Sequence, residues 1–223
     1  MTVIDQPLSV ASQTDEGEQH LIFEDADWSF YLKVSENLGD RRVFATYYKG
    51  RLEVVTVSYP HGLVVSLLSQ LVWILAEETD TPITPSGMLT LRRKDLKAGV
   101  EPDSSFYIAH RSAVKTKKEI DLSVDPPPDL AIEVEITRRL AARQAIYREI
   151  GVPEVWLYKE GELIVLRRRG SQYKQVEQSP TFPQISPREM AEFVARGLED
   201  DTAWTKFVRR RVREIIAAHP RKG

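Results

Sequence analysis

Asp129-Leu-Ala-Ile-Glu-Val-Glu-Ile136 is a short apolar run, introduced by the rigid segment Asp125-Pro-Pro-Pro128 and followed directly by a helical pattern. Its Val, Ile and Leu content and its bounded length read as a buried β-strand. Glu133 and Glu135 interrupt it two residues apart, and side chains alternate across a strand, so both point to one face. Two acids side by side on a buried strand repel each other and cost desolvation. A divalent cation, which takes oxygen ligands, relieves both costs. An edge strand with one solvated face relieves them as well, without any chemistry. The strand alone leaves both readings open.

The chain has 223 residues, of which 42% are hydrophobic and 29% charged. That suits one substantial core, or at most two small domains. The formal net charge of −2 gives the whole molecule no polyanion-binding signature. Cysteine is absent, which excludes disulfides, thiolate metal sites and cysteine nucleophiles and suits a reducing cytoplasm. Met1-Thr-Val-Ile-Asp5 lacks the basic start and apolar run of a signal peptide. The longest apolar stretch, Gly62 to Ala76, is interrupted by Ser66, Ser69 and Gln70 and reads as too short to span a bilayer. The expectation is a soluble cytoplasmic protein with no membrane partner.

Outward from the central strand, residues 1–26 are polar and acidic and are expected to form a loosely ordered arm. Trp28 to Leu38 has helical spacing, with Gly39 suited to its end. Arg42 to Tyr48 and Arg51 to Val57 flank Lys49-Gly50 as a hairpin. Tyr59-Pro60-His61 opens a helix with a core face of Val64, Leu67, Leu68, Leu71 and Leu75. Thr79 to Gly87 reads as a loop, Met88 to Arg92 as a strand, Lys94 to Gly99 as a polar turn, Phe106 to Ala109 as a strand and His110 to Leu122 as a mobile loop. After the central strand come a helix over Arg138 to Ile150, ended by Gly151, and three strands, Val155–Tyr158, Leu163–Leu166 and Tyr173–Val176. Ser186-Pro-Arg-Glu189 matches a capping box for a helix to about Arg196, and a basic helix covers about Ala203 to Ala217. Strands and helices alternate around the central run, which makes an α/β core with antiparallel additions in one domain.

Upstream lies Val100-Glu-Pro-Asp-Ser-Ser-Phe-Tyr-Ile108, a proline-aspartate leading into a strand. An aspartate at the start of one strand facing Glu-x-acid on its neighbour resembles the active-site pattern of PD-(D/E)XK nucleases. Pro128-Asp-Leu-Ala-Ile-Glu-Val-Glu-Ile-Thr137, then Ile146-Tyr147, then Gly151-Val-Pro-Glu-Val-Trp156 resemble the core of the Uma2-like family, whose members are usually described as endonucleases. Thr90 to Leu96 and Gly99 to Asp103 resemble the version common in cyanobacteria, and the likeness runs from about Trp28 to Phe193. It implies a restriction endonuclease-like fold with a mixed central sheet flanked by helices. The implied organisation is an arm over 1–26, a nuclease-fold domain over 27–198, and a basic helix and tail over 199–223.

The resemblance further implies a Mg²⁺ site, with Mn²⁺ able to substitute, in which Asp103, Glu133 and Glu135 are the metal-binding acids and DNA is the substrate. Glu135 stands where the superfamily most often has lysine, so it would serve as a third ligand or as a base. Many relatives carry a lysine on the following helix, four residues before the tyrosine matching Tyr147. Here that position is Arg143, which can neutralise phosphate charge but cannot act as a base. His61 stands where the family frequently shows a histidine. Each residue also has a plain alternative: a turn aspartate for Asp103, a solvated helix residue for Arg143, a cap or packing residue for His61. Asp129 reads as a turn residue and Glu154 as structural. The nuclease reading requires the three carboxylates to converge in a positively rimmed groove. Its rival is a fold that has lost catalysis and binds nucleic acid or a protein. A homodimer is expected only because cutting two strands is easiest with two sites. Arg92-Arg-Lys94, Lys115 to Lys118, Arg167-Arg-Arg169 and the C-terminal arginines could line a phosphate-binding face, though each alone is ordinary solvated surface. Nothing resembles a helix-turn-helix, a zinc finger or an aromatic single-strand platform.

Overall fold

The computed structural model describes residues 9–15, 18–38, 43–87, 89–135, 140–199 and 203–218. In chain order the first half holds β1 (Ser9–Asp15), β2 (Glu18–Glu24), α1 (Trp28–Asn37), β3 (Val43–Tyr48), β4 (Arg51–Thr56), α2 (Tyr59–Glu78), β5 (Thr84–Pro85), β6 (Leu91–Arg93), β7 (Ala98–Val100) and β8 (Ser104–Tyr107). The second half holds α3 (Arg111–Val114), β9 (Leu130–Glu135), α4 (Leu140–Ile150), β10 (Glu154–Lys159), β11 (Glu162–Arg169), β12 (Gln172–Val176), α5 (Pro187–Glu199) and α6 (Trp204–Ala218). The strands form two sheets, ordered β1-β2-β4-β3-β7-β6 and β12-β11-β10-β9-β8-β5.

The strand β9 is buried at every residue, Glu133 and Glu135 included, as a strand covered on both faces should be. It pairs parallel with β10 and antiparallel with β8, and α4 makes the crossover that a parallel pair requires. Leu130, Ile132 and Val134 face a core built with α2, α5 and α6. Ala131 faces the opposite core, shared by Ile146, Tyr147 and Ile150 of α4 with Leu91, Ala98 and Val100. The second sheet therefore lies between a three-helix layer and a layer made of α4 and the β6–β7 end of the first sheet. This is the expected α/β class: a mixed central sheet flanked by helices, the restriction endonuclease-like architecture.

Helix α2 starts where Ser58 accepts the backbone N–H of His61 at 3.4 Å, with Pro60 in the first turn. Val64, Leu67, Leu68, Leu71 and Leu75 are all buried. Its 20 residues reach the length and apolarity of a membrane span, longer than the uninterrupted run suggests, but the buried face is taken up by the second sheet and the C-terminal helices. The capping box at Ser186 is present, with Glu189 N to Ser186 Oγ at 3.2 Å and Ser186 N to Glu189 Oε2 at 3.1 Å.

Several expectations need correction. The described part of the expected acidic arm is ordered: β1 and β2 extend the first sheet from β4. The inward positions of β2 are Glu18, His20 and Ile22, two of them polar, so apolar alternation did not mark the strand. His20 Nδ1 lies 2.9 Å from Glu53 Oε1 of β4, which offsets the burial of both. The expected hairpin is thus part of a six-stranded sheet. Lys94 to Gly99 is a turn that already enters β7, and the strand expected from Met88 begins at Leu91, with Met88 outside the described residues. The expected mobile loop from His110 contains α3 and is anchored by buried Val114 and Leu122. The C-terminal helix is no separate tail, because Trp204, Val208 and Val212 are buried and Arg209 and Arg213 reach Glu78 at 3.2 and 2.6 Å. Gly39, Ile136 to Arg139 and the last five residues lie outside the described residues.

Packing of α5 on α2 is tight at Gly197, where a Cβ would come within 2.6 Å of Leu67 Cδ2 and 2.9 Å of Trp204 Nε1. Gly197→Ala is expected to destabilise the protein by about 1–3 kcal/mol through overpacking. Gly62→Ala, exposed on α2 with nothing within 4 Å of the new methyl, should instead stabilise it by about 0.5–1 kcal/mol. Urea denaturation of the two variants beside the parent tests both signs.

Candidate active site

Register brings the first two acids together. In the β8–β9 ladder Ser104 lies opposite Ile132 and Ser105 opposite Ala131, so Asp103, just before β8, arrives beside Glu133. Asp103 Oδ2 accepts the backbone N–H of Val134 at 2.8 Å and lies 3.2 Å from His61 Nε2. Glu133 Oε1 lies 3.0 Å from Arg143 Nη2 and also accepts the hydroxyl of Tyr147. Arg143 and Tyr147 stand four residues apart on α4 and so present to the same side. The guanidinium of Arg143 also donates to the carbonyl of Glu101, which ties α4 to the segment entering β8. Asp103, Glu133, Arg143 and His61 are thus brought together from four elements, all with side chains at most 7% exposed.

Glu135 is turned to a different partner. The parallel register places it opposite Lys159, and Lys159 Nζ lies 3.1 Å from Glu135 Oε1. Its other oxygen, Oε2, is buried without a hydrogen-bond partner.

Electrostatics separate the two neighbouring acids. Burial pushes the Glu133 carboxyl up to about 8; Asp103 pushes the same way, while the charge of Arg143 and the Tyr147 hydroxyl pull back. Burial would raise Asp103 too, but the hydrogen bond from His61 and the charge of Arg143 hold it below its ordinary value. For His61 burial opposes the proton, and its bond to Asp103 outweighs that and raises the imidazole. Without a metal, the surroundings therefore favour the ionised form of Asp103 and disfavour ionisation of Glu133. Environments that drive two carboxyls apart are how a site assigns different roles to like groups.

The donor chemistry suits a hard divalent cation. The acids offer carboxylate oxygens only, Asp103 and Glu133 are in mutual conflict, and Glu135 Oε2 lacks a partner. The expected convergence of all three carboxylates is not what the structure shows: among the described residues no group of three His, Asp or Glu side chains is drawn close enough to hold a metal. Each buried acid instead pairs with the nearest protein cation, and Lys159 takes Glu135 away from the other two. The acids are also buried beneath the surface and do not stand in an open groove.

Burial and partners bear directly on three further readings. Arg143 is 6% exposed, not a solvated helix residue. Asp129 organises its turn, accepting the N–H groups of Ile108 at 2.6 Å and His110 at 3.0 Å. Glu154 is structural, accepting from Trp156 Nε1 and Ser179 Oγ, each at 2.6 Å. The sequence reading assigned no role to Tyr147 or Lys159. The four-residue spacing from Arg143 could have drawn attention to Tyr147, whereas Lys159 is visible only once the β9–β10 register is known.

Comparison with known proteins gives the chain its family. A family model described as "Uma2: Putative restriction endonuclease" matches residues 28–198. No curated protein sequence matches the chain. Among solved structures, the chain is similar to one titled as a putative nuclease belonging to DUF820 from Anabaena variabilis. The two share 16% identity over 67% of this chain and 90% of that one, with a TM-score of 0.47. With the family model extending from the start of α1 to the last turn of α5, the chain belongs to the Uma2 family.

Proposed function

We propose that this protein is a Mg²⁺-dependent endonuclease that hydrolyses DNA phosphodiester bonds, with Asp103 and Glu133 at its centre. The observation that carries the reading is the placement of these two acids side by side on adjacent strands, braced by His61, Arg143 and Tyr147, in a chain of a family described as restriction endonucleases. Asp103 and Glu133 would hold the cation. The chemistry a bound Mg²⁺ supplies is offset of phosphate charge and acidification of water. Arg143 keeps its proton and so orients Glu133 and neutralises phosphate charge. Tyr147 fixes Glu133 Oε1, and His61 fixes Asp103 while able to take or return a proton. The unpartnered Glu135 Oε2 is an acceptor for a proton leaving water.

A second reading is favoured by one specific observation: each acid already has a protein cation, His61, Arg143 or Lys159. On that reading the fold persists as a nucleic-acid or protein binding module without catalysis.

Calorimetric titration with Mg²⁺ and Mn²⁺ and a plasmid-nicking assay separate the two. The parent should bind metal and nick DNA, and Glu133→Gln and Asp103→Asn should lose both. Arg143→Lys, which disturbs Glu133 without removing a ligand, should lose about 10–100-fold in rate. Absence of both metal binding and nicking in the folded parent would leave the binding-module reading standing.

Metal-free stability should carry the mark of Glu133. Its folded-state pKa of about 8 lies above the ordinary 4.5, so between these values the folded state holds a proton that the unfolded state has lost. Stability from this group is therefore greatest at low pH and falls as pH rises from about 4.5 to about 8, by at most about 1.4 kcal/mol per pH unit. Glu133→Gln should remove that decline, and denaturant midpoints across this range in EDTA measure it.

A further inference from the structure

Beyond the acids, a cavity of about 840 Å³ lies on their side of the second sheet. It is walled by Ser86, Thr90 and Tyr107 and by the cations Arg92, Lys115 and Lys118. Lys117 also lines it, tied to Asp125, and the wall includes Glu119 and Asp121, so four cations stand against two acids. A local positive excess in a chain of formal charge −2 is a concentrated feature. Arg92 contributes a further clue: its Nε is buried without a hydrogen-bond partner, while Nη2 is held by Ser35 Oγ at 2.8 Å. Its guanidinium is thus positioned but not saturated.

The cavity and the proposed centre lie on the same face of the second sheet and are linked through hydrogen bonds. Asp103, Ser105 and Tyr107 alternate onto one face around β8, the face that carries Ala131 and Glu133 across the ladder. Ser105 hydrogen-bonds the hydroxyl of Ser86 at the cavity wall. Thr90 Oγ1 donates to Glu101 Oε1 at 3.2 Å, and the carbonyl of the same Glu101 receives Arg143, the partner of Glu133. From Asp103 to Tyr107 is four strand residues, roughly 13 Å. That is the rise of about four phosphates along one strand of B-DNA.

We infer that this cavity holds the DNA backbone flanking the scissile phosphate, with Arg92, Lys115 and Lys118 contacting successive phosphates a few nucleotides away. The inference rests on the nuclease reading above and adds the path of the substrate strand. Such contacts position the duplex and read no bases, which agrees with the lack of any sequence-reading motif. Release of condensed counterions makes each contact visible in the salt dependence of binding.

The test is fluorescence anisotropy of the full chain with labelled duplex DNA in EDTA over a range of salt, alongside nicking with Mg²⁺. Lys115 and Lys118 are exposed, so Lys115→Ala/Lys118→Ala should fold normally. It should weaken binding equally for unrelated duplex sequences and reduce the salt slope by about 2, roughly one per lost contact. Lys115→Arg/Lys118→Arg should keep the parental slope, as should Arg168→Ala/Arg169→Ala on β11. Parental binding and nicking with an unchanged slope in the alanine pair would overturn the cavity assignment and leave the nuclease reading intact. A parent that neither binds nor nicks DNA would overturn both.

Discussion

Two carboxylates forced together out of water, Asp103 and Glu133, are the constraint around which the rest of this fold is arranged. The β8–β9 ladder makes their proximity unavoidable, and their burial leaves little solvent to ease the conflict. Every element that meets the acids brings relief of a specific kind: α2 an imidazole, α4 a guanidinium and a hydroxyl, β9 itself a backbone N–H. Such an arrangement is a poor way to gain stability. Well-packed apolar side chains in place of a buried ionic cluster are often neutral or stabilising, and β9 is otherwise an apolar strand in the middle of a sheet. On the proposed nuclease reading the acids serve the chemistry, and the surrounding cations make them tolerable.

That view explains why the scaffold is stiff where it is. His61 cannot drift, because it sits in the first turn of a helix capped by Ser58 and held down its length by the core. Arg143 cannot leave without stranding Glu133 and the carbonyl of Glu101 together. The parallel β9–α4–β10 unit places α4 against the same face from which the acids project, so the helix that closes the crossover also supplies the counter-charge. Positioning and topology are the same fact here.

Much of this was legible before any coordinates, but unevenly. Strong periodicity made α2, β9, β10 and the C-terminal helices readable, because their inward positions are apolar and their spacing is regular. The capping box at Ser186 was readable because its chemistry is local. The first two strands were not, since Glu18 and His20 occupy inward positions and satisfy each other's burial through partners distant in sequence such as Glu53. Strands of two or three residues, β5 to β7, carry no period at all and exist only through pairing. In the site, Asp103, Glu133, Arg143 and His61 stood out by residue type and by resemblance to a family pattern. Lys159 did not, because a lysine at a strand end is ordinary until the register sets it opposite Glu135. The convergence expected of Glu135 failed for the same reason: alternation says which face a side chain takes, not which neighbour claims it.

The two cation–carboxylate pairs differ in a way that bears on how the centre could open. Arg143 and Glu133 are 7% and 5% exposed, whereas Lys159 is 34% exposed over a buried Glu135. Removing one partner of a deeply buried pair strands a charge and costs about 3–5 kcal/mol, so Arg143 stays. A pair whose cation reaches water costs less to open, since the freed ammonium is rehydrated at once, although Glu135 itself stays buried. The Glu135–Lys159 pair is therefore the one that yields to an arriving charge. A cation entering from that side would meet a carboxylate with one oxygen already unpartnered, and an arriving phosphate would meet the displaced ammonium. On the proposed nuclease reading, the self-paired arrangement would therefore open first at the Glu135–Lys159 contact.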